Sequence, residues 1–225
     1  MGAGSVFLAA LALGQAKSGH LARAFLALLG GLALLQAVAS YLYSTRRGKF
    51  EVWAKVLRDL RLRGDEHVLD LGCGRGAVLV ILAKLVSHGR AVGLDLWRSV
   101  DLSGNSLEAA QRNLSAEGVS ERCDLRTGDM MALPFPDATF DLVVSSLAIH
   151  NIARREGRLR AVDEAVRVLK PGGRLLIADL TWTRAYAKRL REQGLKDVEV
   201  KGLGWRFWYG MLGIVTDLVI ATKTA

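Results

Sequence analysis

The chain has 225 residues, 51% of them hydrophobic, and a formal net charge of +9. With the strongly apolar residues 1–43 set aside, about 180 remain, enough for one globular domain with a full core and too few for several. Cys73 and Cys123, the two cysteines, form no metal-type spacing with each other or with a histidine, which argues against a zinc module or a disulfide framework and for reduced thiols facing the cytosol.

From Ala24 to Tyr43 the chain carries no charge. Twenty residues at the helical rise span about 30 Å, the hydrocarbon thickness of a bilayer. Tyr41 and Tyr43 stand where interfacial aromatics do, and Arg46, Arg47 and Lys49 mark that end as cytoplasmic. Upstream, a shorter apolar run (residues 2–16) closes at Lys17-Ser18-Gly19-His20, which predicts the first arm of a helical hairpin with its second helix at about 24–43; a single pass is the alternative. Ala27/Gly31 and Ala33/Ala37 give small-xxx-small spacings, suited to packing within a hairpin or between two chains as a homo-oligomer. Met1 to Ala16 has no Lys or Arg, unlike a signal peptide, and Gln36 alone interrupts the apolar run, unlike a helix with one polar face. Residues 1–45 are therefore expected to form a transmembrane anchor, in contact with the lipid bilayer. Seven basic residues against Glu51 and Asp59 between Arg46 and Arg63 make residues 46–64 a basic amphipathic linker helix, whose position after an apolar run favours lipid headgroups over nucleic acid.

Residues 65–225 then alternate. Residues 67–73, 90–96, 123–129, 140–148 and 174–180 read as strands; residues 76–89, 106–118, 157–170 and 183–194 read as helices, the second capped by Asn105 or Ser106 and the third closed by Pro171-Gly172-Gly173. Two more strands, 197–203 and 215–224, end the chain. The alternation predicts an α/β fold with a doubly wound, Rossmann-like parallel sheet behind one or two transmembrane helices, the final two strands bringing the sheet to seven.

Gly72-Cys73-Gly74-Arg75-Gly76 joins the first strand to the first following helix, where glycines let a ligand approach the backbone and the helix N-terminus offers free N–H groups. The spacing differs from the dinucleotide fingerprint. Asp95 closes the second strand, where a carboxylate can accept two hydrogen bonds from a ribose diol. Asp129 and Met130 follow the third strand, placed to receive an adenine amino group and enclose its ring together with Leu96.

These segments, "VLDLGCGRG", "AVGLDL", "TGDMMALPFPDATFDLVVSS" and "RVLKPGGRLLIAD", resemble the ordered motifs of class I S-adenosylmethionine-dependent methyltransferases, most closely the group that includes the quinone-ring C-methyltransferases. The resemblance covers Val68 to Asp179. It implies Asp70, Gly72, Cys73 and Gly74 at the methionine end of the S-adenosylmethionine cofactor, Asp95 at the ribose, Leu96, Asp129 and Met130 around adenine, and Ser145 beside the sulfonium, with S-adenosylhomocysteine as product. The link after Leu96 is longer than usual for the family. Trp97 is a candidate adenine wall there and Asp101 or Asn105 a further cofactor contact, against the alternative of a plain loop.

Methyl transfer from a sulfonium depends on alignment and water exclusion more than on acid or base chemistry. Acceptor residues belong after strands four and five. His150 is the base candidate, with capping of the next helix as its structural alternative, and Asn151, Asp179, Thr181 and Trp182 either contact the acceptor or turn the chain. Ser145 to Ala148 replaces the tetrad of amino-group methyltransferases acting on DNA, and no Pro-Cys pair offers a nucleophile, so nucleic acid is not expected as a substrate. Trp205, Phe207, Trp208, Tyr209, Met211 and Leu212 cluster between the last two strands, either as hairpin core or as an aromatic patch at a membrane interface. The resulting expectation is a methyltransferase anchored in the cell membrane, with its catalytic domain cytoplasmic and a lipophilic small molecule as acceptor. The alternatives are a soluble small-molecule or protein acceptor with the anchor only localising the enzyme, and a non-catalytic cofactor-binding scaffold.

Overall fold

A computed structural model describes residues 3–98, 100, 103–210 and 214–224; Asp101, Met211 and Leu212 lie outside that set. The chain opens with one helix, α1 (Ala3–Tyr43), runs through a π-helical turn (Ser44–Gly48) and continues as α2 (Lys49–Asp59). The hairpin turn expected at Lys17–His20 is absent: the helix passes through it. A single glycine without proline costs an α-helix only about 1 kcal/mol, and the flanking Ala and Leu residues propagate it. The boundary drawn between 45 and 46 falls inside the π turn rather than at a linker.

Then come β1 (His67–Leu71), α3 (Ala77–Leu85), β2 (Arg90–Asp95), α4 (Leu107–Ala116), β3 (Cys123–Thr127), β4 (Phe140–Ser146), α5 (Arg155–Val168), β5 (Leu169–Asp179), α6 (Thr183–Glu192), β6 (Lys196–Gly202) and β7 (Asp217–Thr222). The strands form one seven-stranded sheet in the order β3-β2-β1-β4-β5-β7-β6. It is mixed rather than wholly parallel, because β7 runs antiparallel to both β5 and β6. Parallel neighbours need a crossover, and among its described residues the β6–β7 connection holds only a 3-10 turn at Trp205–Phe207, so these strands pair as a hairpin. Strand β5 begins at Leu169, before the Pro171-Gly172-Gly173 expected to close the helix. Its register slips against β4 there, Gly172 takes φ +77°, and the Lys223 ammonium caps the carbonyls of Val166 and Leu169 at 2.7 Å each.

Helices cover both faces. Ala161, Val162, Tyr186 and Leu190 of α5 and α6 pack with Leu69, Leu71, Val143 and Ile177 on one face. On the other, Trp53 and Leu57 of α2, Leu79 and Leu82 of α3 and Leu114 of α4 pack with Val68, Val144, Leu176, Phe207 and Leu218. Strand order reverses between β1 and β4, which opens a crevice at their carboxyl ends. The β6–β7 connection lies at that same edge, since Asp179 at the end of β5 pairs with Asp217 at the start of β7.

Helix α1 joins the body at this edge. Ser40 and Ser44 hydroxyls both donate to the Trp208 carbonyl, and Ser44 is fully buried. Gly48 crosses the Arg206 carbonyl so closely that a Cβ would sit 1.8 Å from its oxygen. Tyr43 stacks on Trp205 at 5.3 Å. N-terminal to this junction, Phe25, Leu28, Leu32, Leu34 and Leu35 are all exposed. Among the described residues, the stretch Phe25–Asp59 is the one helix long and apolar enough to cross a membrane, and its most apolar window has no buried share.

Trp53 is 2% exposed, and its indole donates to the Ser146 hydroxyl at 2.9 Å. Trp53→Ala should lower stability by about 3–5 kcal/mol in denaturant unfolding, since it opens a cavity between α2 and the sheet and orphans Ser146.

Candidate active site

The glycine loop after β1 hugs the end of β2. Gly72 N–H donates to the Leu94 carbonyl at 2.8 Å, and Gly74 N–H donates to Asp95 Oδ2 at 2.9 Å. Gly72 has φ +69°, and a Cβ there would lie 2.2 Å from that of Ala148, so the position needs glycine twice over. Gly76, with φ +86°, starts α3. Cys73 turns its thiol toward Gly93 of β2, and burial pushes that thiol well above its usual range; only its backbone faces the crevice.

Two buried polar groups beside this loop lack partners among the described residues. Asp70 is 1% exposed and neither of its carboxylate oxygens is hydrogen-bonded. Burial first, and then the Asp95 charge, push its carboxyl up to about 7; the Leu79 N–H opposes this without making a bond. The second is Oδ1 of Asn105, whose amide nitrogen donates to Asp95 Oδ1 at 3.1 Å. Asp95 also accepts the Trp97 N–H at 2.7 Å. Trp97 sits at φ +57° with its indole donating to Thr127 Oγ1 at 2.8 Å, a ring pinned at both ends. Asp129 accepts the Met131 N–H at 2.8 Å, Met130 reaches toward Gly72, and Leu96 is exposed. Ser106, rather than Asn105, caps α4.

Across the crevice, the residues after β4 and β5 meet. His150 Nδ1 is hydrogen-bonded to Asp179 Oδ1, and its backbone N–H donates to Asp179 Oδ2 at 3.1 Å. Asp179 is fully buried and also accepts the Leu180 N–H at 2.9 Å and the Tyr186 hydroxyl at 3.5 Å. Burial, and then the Asp179 charge, raise the Tyr186 phenol far above its usual range, so it remains a donor. Asp179, expected at the acceptor, is instead turned onto the imidazole. Ala148 touches Gly72, so the segment carrying His150 borders the glycine loop. Asn151 is exposed; Trp182, at φ +66°, stacks under the Arg158 guanidinium at 4.3 Å. The Ser145 hydroxyl is committed to the Leu71 carbonyl at 3.0 Å and braces β1 against β4.

Residues 69–177 match the family model described as a methyltransferase domain. The chain is 36% identical over 135 residues to ubiquinone/menaquinone biosynthesis C-methyltransferase UbiE of Ruegeria sp., covering 60% of this chain and 50% of that protein. It is 38% identical over 131 residues to demethylmenaquinone methyltransferase of Lactiplantibacillus plantarum, covering 57% and 52%. The chain thus spans about half the length of these curated relatives. Its fold superposes with a TM-score of 0.59 on a SAM dependent methyltransferase from Aquifex aeolicus, at 22% identity over 76% of this chain and 88% of that one. Residues 69–177 thus resemble a methyltransferase domain, and the seven-stranded sheet is that of the class I methyltransferase fold.

The cradle around the glycine loop fits S-adenosylmethionine. The orphaned Asp70 carboxylate suits the ammonium of the methionine end, and the glycine loop leaves room for its backbone. Asp95 already accepts three hydrogen bonds, which leaves one lone-pair direction for a ribose hydroxyl; the orphaned Asn105 oxygen beside it suits the second. Sequence reading missed Trp53, Arg158 and Tyr186, whose roles depend on partners distant in the chain. Lys49 at the start of α2 was legible only as a charge. Burial, and then the like charge of Arg75 in the glycine loop, lower its ammonium below the usual range.

Folded Asp70 holds a proton up to about pH 7, whereas an unfolded aspartate loses it near pH 4, at about 3.9. Stability of the cofactor-free protein should therefore fall as pH rises from about 4 to about 7 and stay lowered above. Asp70→Asn removes this dependence. The difference between the two stability profiles should grow by on the order of 4 kcal/mol across that window, read by denaturant unfolding at successive pH values.

Proposed function

We propose that this protein transfers the methyl group of S-adenosylmethionine to a lipophilic small molecule at the cytoplasmic face of the membrane. The observation that carries this reading is one of placement. The glycine cradle, His150 and the aromatic β6–β7 connection all lie at the carboxyl edge of the sheet, and the exposed apolar helix α1 leaves from that same edge. An acceptor dissolved in the bilayer then reaches the crevice without crossing bulk water. Arg46, Arg47 and Lys49 after the apolar stretch favour the cytoplasmic side. The quinones for which the two relatives are named point to the same substrate class.

When bound, the cofactor supplies an electrophilic methyl on a sulfonium, already activated for in-line displacement. The chain's own residues align and deprotonate. Asp70 holds the ammonium, Lys49 and Arg75 bring two positive charges to the glycine loop for the carboxylate, and Asp95 with Asn105 holds the ribose diol. Trp97, Met130 and Asp129 serve the adenine. Asp179 takes the Nδ1–H of His150, which leaves Nε2 as the acceptor and directs it into the crevice. The acceptor, on giving up a proton as it takes the methyl, would pass that proton to Nε2. The buried Asp179 carboxylate steadies the imidazolium. Trp182 and Arg158 wall the acceptor side.

The test is full-length protein incubated with radiolabelled S-adenosylmethionine and a bacterial lipid extract, with mass spectrometry of the labelled product. Label is expected in an apolar small molecule; label confined to protein or to water-soluble compounds overturns the acceptor class. His150→Ala and Asp179→Asn should each lower kcat by about 10²–10⁴ with cofactor affinity unchanged by calorimetry, whereas Asp95→Ala should abolish cofactor binding itself.

A further inference from the structure

The junction of α1 with the β6–β7 connection encloses a groove of about 320 Å³ lined by Gln36, Ala39, Ser40, Tyr43, Trp205 and Trp208. On the helix these residues follow one face, and Arg47 continues it one turn beyond Tyr43. From Gln36 to Tyr43 the groove runs about 10 Å along the axis, and Arg46 and Arg47 lie a further ~5 Å on. The connection climbs alongside α1 as far as Ala37: Gly210, at φ +81°, packs so that a Cβ would lie 2.5 Å from the Ala37 carbonyl oxygen. Tyr209 meets Tyr41 at 6.0 Å between ring centres. At the groove's N-terminal end begins the exposed apolar surface of Leu32, Leu34, Leu35 and Val38. At its other end the cations divide. Arg206 is taken up by Glu51 at 3.6 Å and by the Trp205 ring at 4.7 Å, whereas Arg46 and Arg47 are exposed and make no ion pair among the described residues.

We propose that this groove is a site for an anionic phospholipid, its acyl segment lying against Ala39, Tyr43 and Trp208 and its phosphate on Arg46 and Arg47. The site rests on the membrane-face reading above and adds a bound partner to it. The order along the axis matches such a lipid: the exposed apolar helix surface, then the groove with its paired aromatics, then two guanidinium groups without an ion pair among the described residues. Trp205 is 62% exposed with its indole at that boundary, as an interfacial anchor. A lipid held here packs directly against the loop that borders the crevice, so the β6–β7 connection enters the bilayer beside α1 rather than hovering above it.

The test uses full-length protein in nanodiscs of phosphatidylcholine with increasing phosphatidylglycerol, one or the other lipid carrying brominated acyl chains that quench tryptophan fluorescence on contact. Brominated phosphatidylglycerol should give a quenching component that saturates at low mole fraction, and brominated phosphatidylcholine only a component proportional to its abundance. Trp205→Phe/Trp208→Phe should remove the saturable component while the serine clamp on the 208 carbonyl stays in place. Arg46→Gln/Arg47→Gln, at exposed positions that leave folding intact, should move half-saturation about thirtyfold upward. Equal quenching by the two lipids, a saturable component that survives in the tryptophan variant, or an unshifted half-saturation in the arginine variant overturns the site. Vesicle flotation of the wild-type chain separates the two readings. A chain that floats with vesicles yet shows no saturable quenching loses the lipid site alone, and a chain that floats with none loses the membrane reading as well.

Discussion

Strands β1 and β4 lie side by side and send their following chains in opposite directions, and every functional group described here depends on that seam. The gap it opens has to be crossed closely by backbone, which is why Gly72 meets Ala148 with no room for a side chain. Ser145 braces the seam from within by donating to the Leu71 carbonyl, and Trp53 closes it from outside by donating to Ser146. The same geometry strands Asp70: its carboxylate ends the β1 face that packs under α3, with nothing to bond. A buried polar group without a partner is costly to a fold, and such costs gather where a ligand repays them.

The two sides of the crevice are prepared differently. On the cofactor side, polar atoms are left open, at Asp70 and at the Asn105 oxygen, and the backbone is held in glycine conformations. On the acceptor side little is open. Asp179 is enclosed by His150, two backbone N–H groups and Tyr186, so its charge is spent on orienting one ring. A site that must hold a zwitterion and a diol needs vacant partners, whereas a site that receives an apolar acceptor needs one well-aimed group and a dry wall.

Much of this was legible in the sequence because it is local. Glycine spacing and the position of Asp95 at the end of β2 depend on a few neighbouring residues, and the strands stand near where periodicity placed them, apart from the early start of β5. What was not legible is pairing at a distance. His150 and Asp179 were each singled out, yet nothing in their 29-residue separation says that one orients the other. Trp53 read as one more apolar position on an amphipathic helix, since its partner Ser146 is 93 residues away. The turn at Lys17–His20 was misread for the opposite reason: a local signal was real but weak, and helix propagation outweighed it. The antiparallel pairing of β7 with β5 and β6 departs from the alternation before it and suits the short connection between the last two strands.

The π turn at Ser44–Gly48 divides the first helix into two regimes of tolerance. From Phe25 to Leu35 the large apolar side chains of the helix are exposed, so that stretch is constrained by apolarity rather than by packing on the domain. From Gln36 to Trp53 packing constrains it as well. An α-helix turns about 100° per residue, and the wide π turn sets the angular offset between the serines that grip Trp208 and the Trp53–Leu57 face that covers the sheet. One residue gained or lost there would swing the upstream helix by more than a quarter turn relative to the domain while leaving composition untouched. The short stretch Ser44–Gly48 thus acts as an indexing joint, and the direction in which the crevice faces is written in its residue count.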